Sequence, residues 1–161
     1  MTREAAVARA AAHFDRGDFA RDLAALVACR TESQNAQRGP ELRAYLAEQI
    51  APALTALGGS SRVVANPVPG APSMLIGERI ESPDLPTVLM YGHGDVVRGY
   101  DAQWSEGLSP WSLTSRGERL YGRGSADNKG QHAINLAALG AVLAARGGRL
   151  GFNLKWLFEM G

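Results

Sequence analysis

The sequence predicts an α/β fold, a three-layer α/β/α arrangement around a mostly parallel central sheet. Three observations carry that expectation. Thr87 to Met90 is an uninterrupted run of the kind found in strands buried on both faces. From about Asn128 to Arg146, Ile134, Leu136, Ala137, Leu139, Val142 and Leu143 recur at helical spacing. Asn153 to Phe158 then reads as a further strand, with Leu154, Trp156, Leu157 and Phe158 buried on both sides. Strand, long helix, strand is a crossover unit, and crossover units build parallel sheets.

The elements follow in order. Thr2 to about Phe14 reads as a first helix. Asp18 can cap a second, from Phe19 to about Cys29, with Phe19, Leu23, Leu26 and Val27 on one face. Ser33 to Gly39 is polar and loop-like. Pro40 stands where a helix accepts proline, and Leu42, Tyr45, Leu46, Gln49, Ile50, Ala53, Leu54 and Leu57 continue at helical spacing, with only Gln49 polar. Pro52 should kink this helix, and Gly58-Gly59 should end it. Arg62–Ala65 and Met74–Gly77 look like short strands bounded by Pro and Gly. Residues 98 to 118 are loop-rich and hold Trp104, Pro110 and Trp111. Gly147-Gly148 closes the long helix.

Composition narrows the function. The 161 residues suit one domain, with 45% hydrophobic and 20% charged residues and a net charge of +1. Lys and Arg are scattered, so no basic stripe suggests a nucleic-acid partner. The single Cys29 excludes an internal disulfide, reads as a small buried hydrophobe, and fits a reducing, cytoplasmic setting. No apolar run approaches the roughly eighteen residues of a membrane helix. The Ala-rich start is interrupted by Arg9 and flanked by Glu4, His13 and Asp15, so it reads as an amphipathic helix rather than a leader.

Chemistry concentrates in two motifs. The first is Tyr91-Gly92-His93-Gly94-Asp95-Val96-Val97, directly after the apolar run. Ligands in open α/β sheets collect beyond the carboxyl ends of strands, which is where His93 falls. Gly92 and Gly94 would let the backbone turn sharply there. Asp95, two residues on, points the same way as His93 if the extended backbone continues. A carboxylate beside a ligating histidine fixes its tautomer and raises its basicity. Alone, the motif reads more readily as a turn with a capping Asp and an incidental His. The second motif, Leu120 to Gly130, changes that balance. It puts Asp127 just before a helix, where it can cap or can bridge two metal ions. The glycines match neither a dinucleotide fingerprint nor a phosphate loop, and no Gly-x-Ser-x-Gly elbow exists. His132 reads as structural, His13 as a helix-surface residue, and Trp104 and Trp111 as packing.

At these residues the chain resembles the co-catalytic zinc exopeptidases and amidohydrolases that include aminoacylase, carboxypeptidase G, succinyl-diaminopimelate desuccinylase and carnosine-type dipeptidases. The matching segments are the strand into His93-Gly94-Asp95-Val96-Val97, Trp104 with Ser109-Pro110-Trp111, Leu120 to Gly130, and Trp156 to Gly161. The resemblance implies that His93 and Asp127 are metal ligands, with Asp127 bridging two Zn2+ ions, Co2+ or Mn2+ being possible in their place. It implies that Asp95 serves catalysis by orienting His93, and that the Asp127–Asn128 peptide is cis. It also implies a Glu-Glu pair after the Phe158-Glu159-Met160-Gly161 segment, so Glu159 is not the catalytic base. Residues 1–161 are then expected to be the N-terminal portion of a catalytic domain, without its remaining ligands and its dimerisation domain. The expected reaction is amide hydrolysis in a small peptide or N-acyl amino acid, by a full-length homodimer. This chain alone is expected to be inactive. The alternative is a non-catalytic binding or assembly module of the same fold.

Overall fold

A computed structural model describes residues 3–161; Thr2, the expected start of the first helix, lies outside the described residues. Helices α1 (Arg3–Asp15) and α2 (Asp18–Ala28) form where the periodicity predicts them. Gly17, at φ 78°, caps α2. Asp18, expected as the cap, instead sits in the first turn. Its carboxylate accepts from Arg16 at 2.9 Å and Arg21 at 2.6 Å, and it suits the positive end of the helix. The third helical region runs through α3 (Gly39–Ala44), a π-helical stretch (Tyr45–Ile50) and α4 (Ala51–Ala56). The widened turns precede Pro52, which lacks an N–H and crowds the carbonyl four residues back. Pro52 thus makes itself felt as a π stretch.

Four strands form the main sheet: β1 (Ser60–Val64), β2 (Met74–Arg79), β3 (Thr87–His93) and β6 (Asn153–Glu159), in the order β1-β2-β6-β3. Helix α5 (Lys129–Ala145) provides the crossover between β3 and β6, which pair in parallel from Thr87↔Asn153 to His93↔Glu159. The α/β class and the parallel crossover are as the sequence predicts. The sheet as a whole is mixed, because β1–β2 and β2–β6 pair antiparallel. Between β3 and α5, β4 (Thr114–Arg116), in the stretch read as loop, and β5 (Arg119–Tyr121), just after it, form a small hairpin.

One face of the sheet carries the core. Leu75, Leu154, Trp156 and Phe158 pack with Leu26, Val27, Tyr45, Leu46, Ile50, Leu54 and Ala133 from the helices in a single cluster. The opposite face presents Ile76, Leu89 and Tyr91, the last two more than 60% exposed. Among the described residues the helices therefore cover one face, and β3 and β6 are not buried on both sides. An apolar run without alternation cannot distinguish a strand covered twice from one with an open apolar face. Such a face beside a strand edge favours association. Sedimentation velocity is expected to show concentration-dependent self-association, reduced in a Leu89→Lys variant; equal association in both would count against this face.

Candidate metal centre

The site forms where β3 ends and α5 begins. His93 is the last residue of β3 and Asp127 precedes α5 by two residues. The peptide between Asp127 and Asn128 is cis, as the resemblance implies. His93 Nε2 and Asp127 Oδ1 stand 3.1 Å apart, and His93 Nδ1 lies 3.1 Å from Asp95 Oδ1. The structure thus brings all three expected site residues together. The Asp95 side chain is 16% exposed and the Asp127 side chain 79%, so one carboxylate is held and the other reaches outward. Together with Val96, Val97 and Gly122 to Ala126, these residues line a cleft of about 330 Å³. A larger cavity of about 540 Å³ lies among the helices. Its floor is mostly Ala and Leu and includes none of the three, so the chemistry belongs to the smaller cleft.

Burial opposes charge on the His93 ring. The hydrogen bonds and charges of Asp95 and Asp127 outweigh it and hold the His93 pKa above its ordinary value. A ring held between two carboxylates is a cation site in electrostatic terms. The donors fit a divalent ion of the zinc type. Imidazole nitrogen and carboxylate oxygen are zinc ligands, and two of them at bond lengths of about 2.0–2.1 Å from a tetrahedral ion stand roughly 3.3 Å apart. The observed 3.1 Å is close to that edge. Among the described residues no cluster of three or more His, Cys, Asp or Glu forms a fuller ligand set.

Gly92 and Gly94 are explained by close packing rather than by sharp turns. A Cβ on Gly92 would run into the His132 ring, and one on Gly94 into the Tyr45 ring. Neither glycine has a positive φ. Asn128 is buried, and its side-chain oxygen accepts from the backbone N–H of His93 at 3.3 Å, which ties the two motifs together. His132 is structural, as expected. It is buried, its Nδ1 is 2.8 Å from the Tyr45 hydroxyl, and its edge meets Phe158. His13 pairs with Asp22 at 3.3 Å on the helix surface. Trp104 and Trp111 pack against Arg123 and Arg30, and donate to the Gly99 carbonyl and to Asp101. Cys29 is half-buried.

Two residues around the site were not singled out by sequence. Lys129 is fully buried, donates to the Cys29 carbonyl at 2.6 Å and lies over the Tyr45 ring; desolvation pulls its pKa down to about 8. Ser33 donates to Asp95 Oδ2 at 2.6 Å. Ser33 and Asp95 are 62 positions apart, and no spacing rule connects them. Lys129 did carry a signal, as a lone lysine inside a Gly-rich motif.

Gly130 offers a stability test. In an exposed helix Gly→Ala gains about 1 kcal/mol. Here a Cβ would strike the Ser125 backbone carbonyl, which cannot swing aside like a flexible side chain. Overpacking typically costs about 1–3 kcal/mol. Gly130→Ala is expected to destabilise the chain by about 2 kcal/mol in urea titration, against the sign given by helix propensity.

Residues 89–161 match the model of peptidase family M20/M25/M40. Over these residues, a little under half of the chain, it resembles that family, in line with the resemblance its motifs carry. Beta-Ala-His dipeptidase of Mus musculus is 34% identical over 141 residues, covering 80% of this chain and 28% of that protein. Cysteinylglycine-S-conjugate dipeptidase of Corynebacterium striatum is 37% identical over 93 residues, 57% of this chain and 20% of that protein. The crystal structure of human carnosine dipeptidase 1 superposes with a TM-score of 0.87 at 28% identity, over 98% of this chain and 34% of that one. The chain thus spans about a third or less of the proteins it matches. A metallopeptidase family implies a divalent metal ion. Among the described residues no helix is long and apolar enough to cross a membrane.

Proposed function

We propose that this chain is the N-terminal portion of the catalytic domain of a metal-dependent hydrolase of the M20 family. The protein would cleave the amide bond of a small, carboxylate-bearing substrate, a dipeptide or an N-acyl amino acid. The observation that carries the reading is the Asp95–His93–Asp127 line, with both contacts at 3.1 Å, lining a cleft. The match of residues 89–161 to a peptidase family and the likeness to dipeptidases support it.

In this reading His93 Nε2 and Asp127 would be ligands of a dinuclear zinc site. Bound there, zinc supplies Lewis-acid polarisation of the scissile carbonyl and acidification of a water. Asp95 keeps the Nδ1 hydrogen on His93, so that Nε2 keeps its lone pair outward. Asn128 fixes the His93 backbone, and buried Lys129 anchors the start of α5 against the Cys29 carbonyl. The wider protein would be a homodimer working in the cytoplasm.

The test is metal binding at defined residues. Titration of the chain with Zn2+ or Co2+ is expected to show weak binding that His93→Ala and Asp127→Ala each abolish. The longest natural product should then be screened with dipeptides and N-acyl amino acids. Binding unaffected by both substitutions would refute the site.

A further inference from the structure

The Asp95 carboxylate has two oxygens, and both are engaged. Oδ1 faces His93 Nδ1 at 3.1 Å, and Oδ2 accepts from the Ser33 hydroxyl at 2.6 Å. A hydroxyl donating to a carboxylate at that distance makes a strong, charge-assisted hydrogen bond. The backbone around it is also paired. Ser33 N donates to the Val96 carbonyl, Val96 N to the Thr31 carbonyl, and the Thr31 hydroxyl to the Gly94 carbonyl. Gly161 closes the other side. A Cβ there would lie 2.7 Å from Ser33 Cβ and 3.1 Å from Asp95 Oδ2, so the main chain at Gly161 lies close against the Ser33–Asp95 pair.

His93 has two carboxylates competing for its ring hydrogen. Asp127, on the Nε2 side, is largely exposed, whereas Asp95 is mostly covered. If Asp127 wins, Nε2 carries the hydrogen and has no lone pair to offer. The terminal torsion of Asp is broad and roughly twofold, so a free carboxylate swings readily. A carboxylate tied at its far oxygen does not.

We propose that Ser33 is a positioning residue: its hydroxyl locks Asp95 so that His93 carries hydrogen on Nδ1 and keeps Nε2 open to a ligand. The proposal rests on the metal reading only for its consequence; the lock itself is a property of this chain. Because the segment around Ser33 is also held by backbone bonds, loss of the hydroxyl leaves the fold in place.

The experiment is long-range proton–nitrogen NMR of the His93 ring in the 15N-labelled, metal-free chain, at an alkaline pH where the ring is neutral. In the wild type the two ring nitrogens should resonate far apart, as one dominant Nδ1–H tautomer. Ser33→Ala should draw the two signals together as the other tautomer gains. Ser33→Cys, which keeps the shape and weakens the donor, should move them part of the way, and Asp95→Asn provides the reference for an unlocked ring. Zinc affinity of Ser33→Ala should fall about tenfold, the lower end for residues that support a ligand. Folded Ser33→Ala or Ser33→Cys chains with wild-type ring shifts would overturn the proposal. A wild-type His93 whose Nε2 signal ignores added zinc would instead overturn the metal reading, while a tautomer shift in the variants would still support the lock.

Discussion

Alone, the 161-residue chain is expected to hydrolyse no dipeptide, even with zinc or cobalt in excess. A catalytic zinc ion normally has three protein ligands and one open position. This chain aligns two candidate ligands, His93 and Asp127, and among the described residues no larger cluster completes them. Nor, among the described residues, does either remaining carboxylate near His93 stand ready as general base. Asp95 is committed to His93 and Ser33, and Glu159 accepts from the Tyr91 hydroxyl and the Gly161 N–H, each at 2.8 Å. Loss of a general base alone reduces rates by about 10²–10⁴-fold. The check is a turnover assay of the chain beside a version lengthened to the span of its dipeptidase relatives. Comparable turnover by the two would show that the site is complete here and that the residue roles are wrong.

Most of the fold, and the placement of the candidate site residues side by side, is legible in the sequence for a common reason. Helices α1, α2 and α5 and strands β3 and β6 are encoded by local period and by punctuating Gly and Pro, which act within a few residues. His93, Asp95 and Asp127 were legible because each sits within two residues of the end of such an element, or of one another. The direction of β2 and β1 was not, since nothing in Met74–Arg79 records which strand will be its neighbour. The open face at Leu89 and Tyr91 was not, because burial depends on what covers a strand and not on the strand itself. Ser33 was missed for the same reason: its role exists only once distant chain is brought against Asp95. The glycines were legible as constraints but misread in kind, because close approach to Tyr45 or His132 is a tertiary fact.

Lowering the pH from 7 towards 4 is expected to destabilise the chain, with His132 contributing roughly 3 kcal/mol of the loss. His132 is 2% exposed, packed against Phe158 and bonded to Tyr45. Desolvation, helped by the positive charges of His93 and Lys129, pulls its pKa from 6.5 down to about 4. The unfolded chain therefore binds a proton at His132 that the folded chain refuses between those values. Stability from the neutral, buried ring is complete above about pH 6.5 and is lost as pH falls to the folded value, by roughly 1.36 kcal/mol per unit. His93 works in the opposite sense, since its raised pKa favours the folded state as it gains a proton. Glu81, held down to about 2 by the backbone N–H groups of Leu150 and Gly151 and by Arg79, titrates in the fold mainly below this window. A His132→Leu variant isolates the effect. It leaves the Tyr45 hydroxyl without its partner and should be less stable than wild type at pH 7, yet its urea midpoint should fall less steeply towards pH 4. Parallel pH profiles for the two proteins would mean that the buried ring accepts a proton in place, and that the pocket around Gly92 and Tyr45 is less dry than its packing indicates.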